Sequence, residues 1–297
     1  MTPPAPSSLT GPLFVLLSAL CASTTGLFQA LAPAEATPWI IAGCRMFTGA
    51  AAIALFLAVT GRRVSLHGWK WRWVFGYAAA LLFFQLSFFT ALPLIGVAVG
   101  TVVSIGTTPV FSGLFNWVLR RERPGGAWFV ATAAALAGLW LVNDPGEASF
   151  SLTGLFFAVC AGACFAAELS IGRHLTESHG AEEAILLVML LIGATLIPAF
   201  FVEPVAWILT PRGFAVAAAL GVVTAAMNFV FMVEGLKTAA PPVAATLALA
   251  EPMGAALLGI FALGEPCTLR TLCGITAIFA AILLLIGREA RKAKAGG

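Results

Sequence analysis

Apolar runs of membrane-crossing length follow one another along the whole chain, with loops between them too short to fold alone. A helix needs roughly 20 such residues to cross a hydrocarbon core. Ten runs qualify: 11–31, 38–60, 73–92, 97–119, 127–142, 152–171, 184–202, 213–235, 242–263 and 269–286. A membrane β-barrel would instead alternate apolar and polar residues in ~10-residue segments. A soluble fold is excluded by composition: with 10% charged residues, 60% hydrophobic ones and mean hydropathy +1.00, the 297 residues cannot coat an aqueous surface. The expected fold is all-α and integral to the membrane, with ten transmembrane helices. The first run has no basic segment before it and is too long for a secretory signal, so it reads as a retained helix.

Basic residues orient the spans. With the N-terminus inside, inner loops and tail hold 13 of the 16 Lys and Arg, among them Arg62, Arg63, Arg120, Arg121 and Arg123. Outer loops hold Arg212 and Arg270, and Arg45 lies within a span. Ten spans then put both termini in the cytoplasm. All eight tryptophans fall near predicted span ends, where indole favours the headgroup zone.

The two halves, 1–149 and 150–297, align without gaps at an offset of 143 residues. Gly11 meets Gly154, Cys21 meets Cys164, Gln85 meets Asn228, Phe88 meets Phe231, Pro109 meets Pro252 and Glu122 meets Glu265. Five spans per half force the second copy to insert upside down, a plan that places a site at the midplane between inverted repeats.

Polar side chains are costly in hydrocarbon and should face protein or a wet cavity. They concentrate in spans 1, 3, 4, 6, 8 and 9, which are three repeat-related pairs; the other four spans read as an outer shell. The candidate substrate contacts are Gln85, Phe88, Thr101, Ser104, Thr108, Glu168, Asn228 and Glu251. Thr101, Ser104, Thr108 and Ser112 share one helix face by their spacing. Phe83, Phe84, Phe89, Phe229 and Phe231 flank the two carboxamides. Pro109 and Pro252 remove mid-span backbone hydrogen bonds and are candidates for kinking or gating. Arg45 has three readings: it binds a carboxylate, snorkels outward or pairs with Glu35. Gly96 and Gly100 read as close-packing positions. Glu234 and Lys237, one turn apart, read as an ion pair.

The six cysteines lack a nearby His at ligand spacing, so no metal or other cofactor is expected. No P-loop is present, which points to a carrier rather than a nucleotide-driven pump.

In Thr107-Thr108-Pro109 to Glu122, and in Glu251-Pro252 to Gly264-Glu265-Pro266, a mid-span proline is followed by a Glu at the span end. With ten spans in two repeats, the chain resembles the drug/metabolite transporter superfamily in its EamA-type branch over nearly its whole length. It is similar to YddG-type exporters of aromatic amino acids. The resemblance implies an inverted-repeat bundle around a central cavity lined by the six polar spans, in a bacterial inner (plasma) membrane. It also implies export of aromatic or hydrophobic amino acids and related small metabolites by alternating access. The partners expected are a small-molecule substrate and the lipid bilayer, with no nucleic acid; oligomeric state stays open, a monomer being compatible. The alternatives are export of drugs or other metabolites by the same fold, a non-transporting receptor, and an intramembrane enzyme. The last lacks an intramembrane His or a Ser-x-Gly elbow.

Overall fold

A computed structural model describes residues 9–62, 67–121, 123–143, 151–177, 179–264 and 266–295; Arg63, Glu122 and Glu265 lie outside them. The described residues form ten helical spans: α1 Thr10–Ala30, α2 Pro38–Val59, α3 Trp71–Ile95, α4 Val97–Arg120, α5 Gly126–Val142, α6 Leu152–Leu175, α7 Ala181–Val202, α8 Pro211–Gly235, α9 Pro241–Leu263 and α10 Leu269–Ala295. Nine are long and apolar enough to cross a membrane. The 17-residue α5 sits at the short end of the spanning range.

The packing obeys the repeat. α3 packs on α6 as its counterpart α8 packs on α1; α4 packs on α6 as α9 packs on α1; and α3 meets α7 as α8 meets α2. The pairs α2–α7, α4–α9 and α5–α10 each join a helix to its own counterpart. This is the contact pattern of a pseudo-two-fold bundle built from two five-helix repeats. Even the caps match: α4 ends in left-handed Arg121 (φ 56°) and α9 in left-handed Gly264 (φ 73°), which are equivalent positions.

Backbones cross closely where side chains are small. A Cβ on Gly138 would lie 2.6 Å from the Gly274 carbonyl oxygen, and one on Gly274 would lie 2.7 Å from that of Gly138. This seam holds α5 against α10. Without a strong hydrophobic drive between helices in lipid, such approach maximises dispersion contact. Gly96 acts differently from the packing role expected of it. It is the single residue between α3 and α4, its φ is +81° with ψ 154°, and a Cβ there would meet nothing within 4 Å. Its conformation, which side chains resist, is what it supplies.

Four spans are interrupted; α7 breaks between Leu196 and Ala199, at Pro198. α1 breaks at Thr24, where Ser23, Thr24 and Thr25 donate their hydroxyls to the carbonyls of Leu20, Cys21 and Ala22. α8 carries a π-helical turn at Val222–Met227. α9 breaks between Leu247 and Ala250. Pro252 has no N–H for the Ala248 carbonyl, and the Glu251 N–H takes that carbonyl instead at 2.9 Å. Pro109, the counterpart, leaves α4 continuous.

One end of the bundle is tied shut by the α2–α3 and α6–α7 loops. The Trp69 and His179 rings stack at 3.9 Å, and Trp73 and His174 stack at 4.6 Å. Lys70 donates to Glu177 at 2.7 Å, Arg62 to Glu182 at 3.2 Å, and His174 also pairs with Glu177. Trp69, Trp128 and Trp207 are buried within the protein, and Trp128 donates its indole N–H to the Pro242 carbonyl. Lys237 and Glu234 form the expected ion pair at 2.5 Å.

Two predictions follow from these contacts. Gly96→Ala forces a side chain into a glycine-only conformation and should cost roughly 1–3 kcal/mol. Gly126→Ala, where a Cβ meets nothing within 4 Å, should cost nothing measurable. Thermal unfolding in detergent reads both. Lys70 and His174 hold the Glu177 carboxyl below the usual carboxylate range. Its folded value is depressed, so its stabilisation is full above the unfolded value of about 4.3 and disappears as pH falls through the folded one. Glu177→Gln should therefore lower stability at neutral pH by under about 1 kcal/mol, since the pair is solvent-screened. The difference from wild type should vanish in acid.

Candidate functional site

A cavity of about 320 Å³ lies in the middle of the bundle. Its lining runs along α1 from Ser18 to Gln29 and along α3 from Leu81 to Leu92, from mid-bundle toward the end opposite the stacked loops. α6 contributes Phe165 and Glu168, α8 Asn228, Phe229 and Met232, and α9 Ala248 and Glu251. α4 reaches it only through Ile105, while α2 supplies Arg45 and Met46.

The interrupted helices position the polar groups. In α8 the Asn228 side chain donates to the Thr224 carbonyl at 3.2 Å and accepts from Ser18 on α1 at 2.6 Å. The same Thr224 carbonyl, within the π-helical turn, accepts from the Arg45 guanidinium at 3.0 Å. Ser18, Asn228, Thr224 and Arg45 thus form one network joining α1, α8 and α2. In α9 the break places Glu251 in the cavity wall. Glu168 is buried, and so is the Tyr77 hydroxyl of α3, which has no hydrogen-bond partner among the described residues.

The apolar wall is a ring cluster. Phe84 packs on Phe88 at 5.7 Å and, across the α3–α6 interface, on Phe165 at 5.3 Å; Phe88 meets Phe89 edge-on. Their repeat-related Phe231 pairs with Phe14 instead.

Of the residues singled out by sequence, Gln85, Phe88, Glu168, Asn228 and Glu251 come together in this cavity. Thr101 lines a neighbouring pocket that shares Glu251 and includes Pro252. Ser104 and Thr108 are buried at helix contacts: Thr108 donates to the Ser104 carbonyl, and a Cβ on Gly162 of α6 would lie 2.6 Å from that same oxygen. The α4 stripe therefore serves close approach to α6, because small side chains admit it. Pro109 is buried in an unbroken helix, and Pro252 sits just beyond the α9 break. Arg45 neither snorkels nor meets Glu35; it turns inward, so α2 belongs to the lining and not to the shell. Ser18 and Phe165 went unmarked by sequence. A lone Ser or Phe in an apolar helix carries no signal beyond its cross-helix partner.

The EamA-like transporter family matches the chain twice, over residues 9–144 and 152–287, and the two matches start 143 residues apart. The chain is 35% identical over 283 residues, 95% of each protein, to "Uncharacterized transporter YwfM" of Bacillus subtilis. It is 28% identical to "Threonine/homoserine exporter RhtA" of Salmonella typhimurium, over 94% of this chain and 93% of that one. A solved crystal structure superposes with a TM-score of 0.79 at 19% identity, covering 93% of this chain and 96% of its own, which establishes a shared fold. Two matched repeats, a ten-helix membrane bundle and relatives along its full length agree: the chain belongs to the EamA-like transporter family and is a membrane transporter of the drug/metabolite type.

Proposed function

We propose that this chain exports aromatic or other hydrophobic amino acids and related small metabolites by alternating access. The observation that carries the reading is the cavity's mixed chemistry: a wall of phenylalanine rings beside an arginine, two carboxyl groups and three carboxamides. Rings suit an apolar or aromatic side chain, and fixed polar groups of both signs suit a zwitterion. At about 320 Å³ the cavity is at the small end for ligand sites, which favours an amino-acid-sized molecule over a larger drug. RhtA, by its name, exports threonine and homoserine. Amino acid export is the class extended here, and the aromatic preference rests on the rings and on the resemblance to YddG-type exporters.

Alternating access is supported by the unlike ends of the bundle. By the distribution of Lys and Arg, the stacked loops face the cytoplasm in a bacterial plasma membrane, with both termini on that side. The cavity then reaches toward the outside while the loops close the inside. Breaks in α1 and α9 and the π-helical turn in α8 supply bending points beside the substrate. Parting the loops and closing the outer ends would complete the cycle.

Purified protein in proteoliposomes should take up labelled phenylalanine saturably, against empty liposomes as the baseline. Excess tryptophan should block this more effectively than excess threonine. Asn228→Ala removes the hub of the Ser18–Thr224 network and should weaken transport about tenfold or more. Absence of flux from folded protein would defeat the aromatic substrate. Block by threonine but not tryptophan would move the reading to small polar amino acids.

A further inference from the structure

Arg45 is a cation inside the membrane span with no anion in contact among the described residues. The ion pairs among the described residues join Arg62, Lys70, His174 and Lys237 to glutamates, all at helix ends or loops. Within the protein one guanidinium nitrogen donates to the Thr224 carbonyl, and the buried Nε–H has no partner. A guanidinium has five N–H donors, and a buried unpaired donor is costly, so the fold keeps this one for something it does not itself contain. Glu251 lines the same cavity, yet no ion pair joins it to Arg45. The two poles are held apart by different elements: Arg45 by the π-helical turn of α8, Glu251 by the break in α9.

A ligand that fills such a gap carries a negative and a positive group close together. In an α-amino acid the ammonium nitrogen and carboxylate carbon are about 2.5 Å apart. A carboxylate accepts two parallel N–H bonds from a guanidinium, the strongest pairing available to it. Resting on the amino acid reading above, we propose that Arg45 is the substrate-carboxylate site and Glu251 the ammonium site. Substrates are then recognised by their α-amino acid backbone, with Phe84, Phe88 and Phe165 accepting the side chain. Arg45 is in this sense a specificity-determining residue: it selects zwitterions over amines of the same shape.

The test uses the full-length protein and three competitors of labelled phenylalanine uptake: phenylalanine, its amide (no carboxylate) and 3-phenylpropionate (no ammonium). Wild type should prefer phenylalanine over either analogue by on the order of tenfold to a hundredfold, the cost of one lost charge-assisted contact. Arg45→Gln should weaken phenylalanine by that factor and leave the amide unchanged, erasing the preference. Glu251→Gln should weaken phenylalanine and the amide together and spare 3-phenylpropionate. Arg45→Lys keeps the charge without the fork and should fall between wild type and Arg45→Gln.

Wild type that accepts the amide as well as phenylalanine would overturn the proposal with no variant needed. So would Arg45→Gln that weakens all three competitors equally, the signature of an arginine that only ties α2 to α8. In both cases amino acid transport itself still stands. If wild type carries no amino acid at all, the transport reading falls together with the site built on it.

Discussion

The hydrocarbon core contains no water, so each backbone N–H and C=O must find its partner within the protein. That constraint governs where this bundle is allowed to be irregular. α1 bends because three consecutive hydroxyls turn back on their own carbonyls. α9 bends because Pro252 withholds a donor, and the Glu251 N–H closes a tighter turn. α8 widens into a π-helical turn, and the Thr224 carbonyl there is taken by Arg45 and Asn228. The irregularities of α1, α8 and α9 lie beside the cavity, while the break of α7 at Pro198 does not. Polar function and backbone deviation are placed together because one solves the other's hydrogen-bonding problem.

Elsewhere the same constraint produces regularity. The glycine seam between α5 and α10 and the small-residue stripe of α4 against α6 bring uninterrupted helices into backbone contact. These regions form the firm frame against which the interrupted helices α1, α8 and α9 are set. The stacked rings and ion pairs of the two loops are of another kind: they lie at the water interface, partly solvated, and individually weak.

Much of this was legible in the residues. The ten spans follow from hydrophobic run length, and the half-and-half organisation follows from landmarks such as Pro109/Pro252 and Gln85/Asn228. Gln85, Glu168, Asn228 and Glu251 could be named because a polar side chain in a span needs a reason to be there. Where the structure places residues away from the cavity or differently from expectation, the causes are also physical. Ser104 and Thr108 look polar, but both are buried where α4 meets α6, and the Thr108 hydroxyl bonds back to its own helix and behaves as a small packing group. Arg45 stood in a span otherwise poor in polar residues, and only the neighbouring π-helical turn decides which way it points. The α8 turn left no mark in periodicity, and the α1 break is written in three hydroxyls that read equally well as cavity lining. Gly96 was read as a packing glycine because sequence does not reveal the sign of φ.

The two halves are alike in backbone and unlike in charge. Glu168 and Glu251 have Thr25 and Thr108 as their counterparts, and Arg45 has Val188. Two identical five-helix chains assembled about a true dyad would present every charge twice, so their shared chamber could carry no dipole across the axis. Joining both halves in one polypeptide lifts that prohibition. A single arginine can stand on one side and an unmatched glutamate on the other, giving the chamber a direction that its scaffold lacks. Such a polarised chamber can orient a ligand head from tail, which a strictly symmetric one cannot.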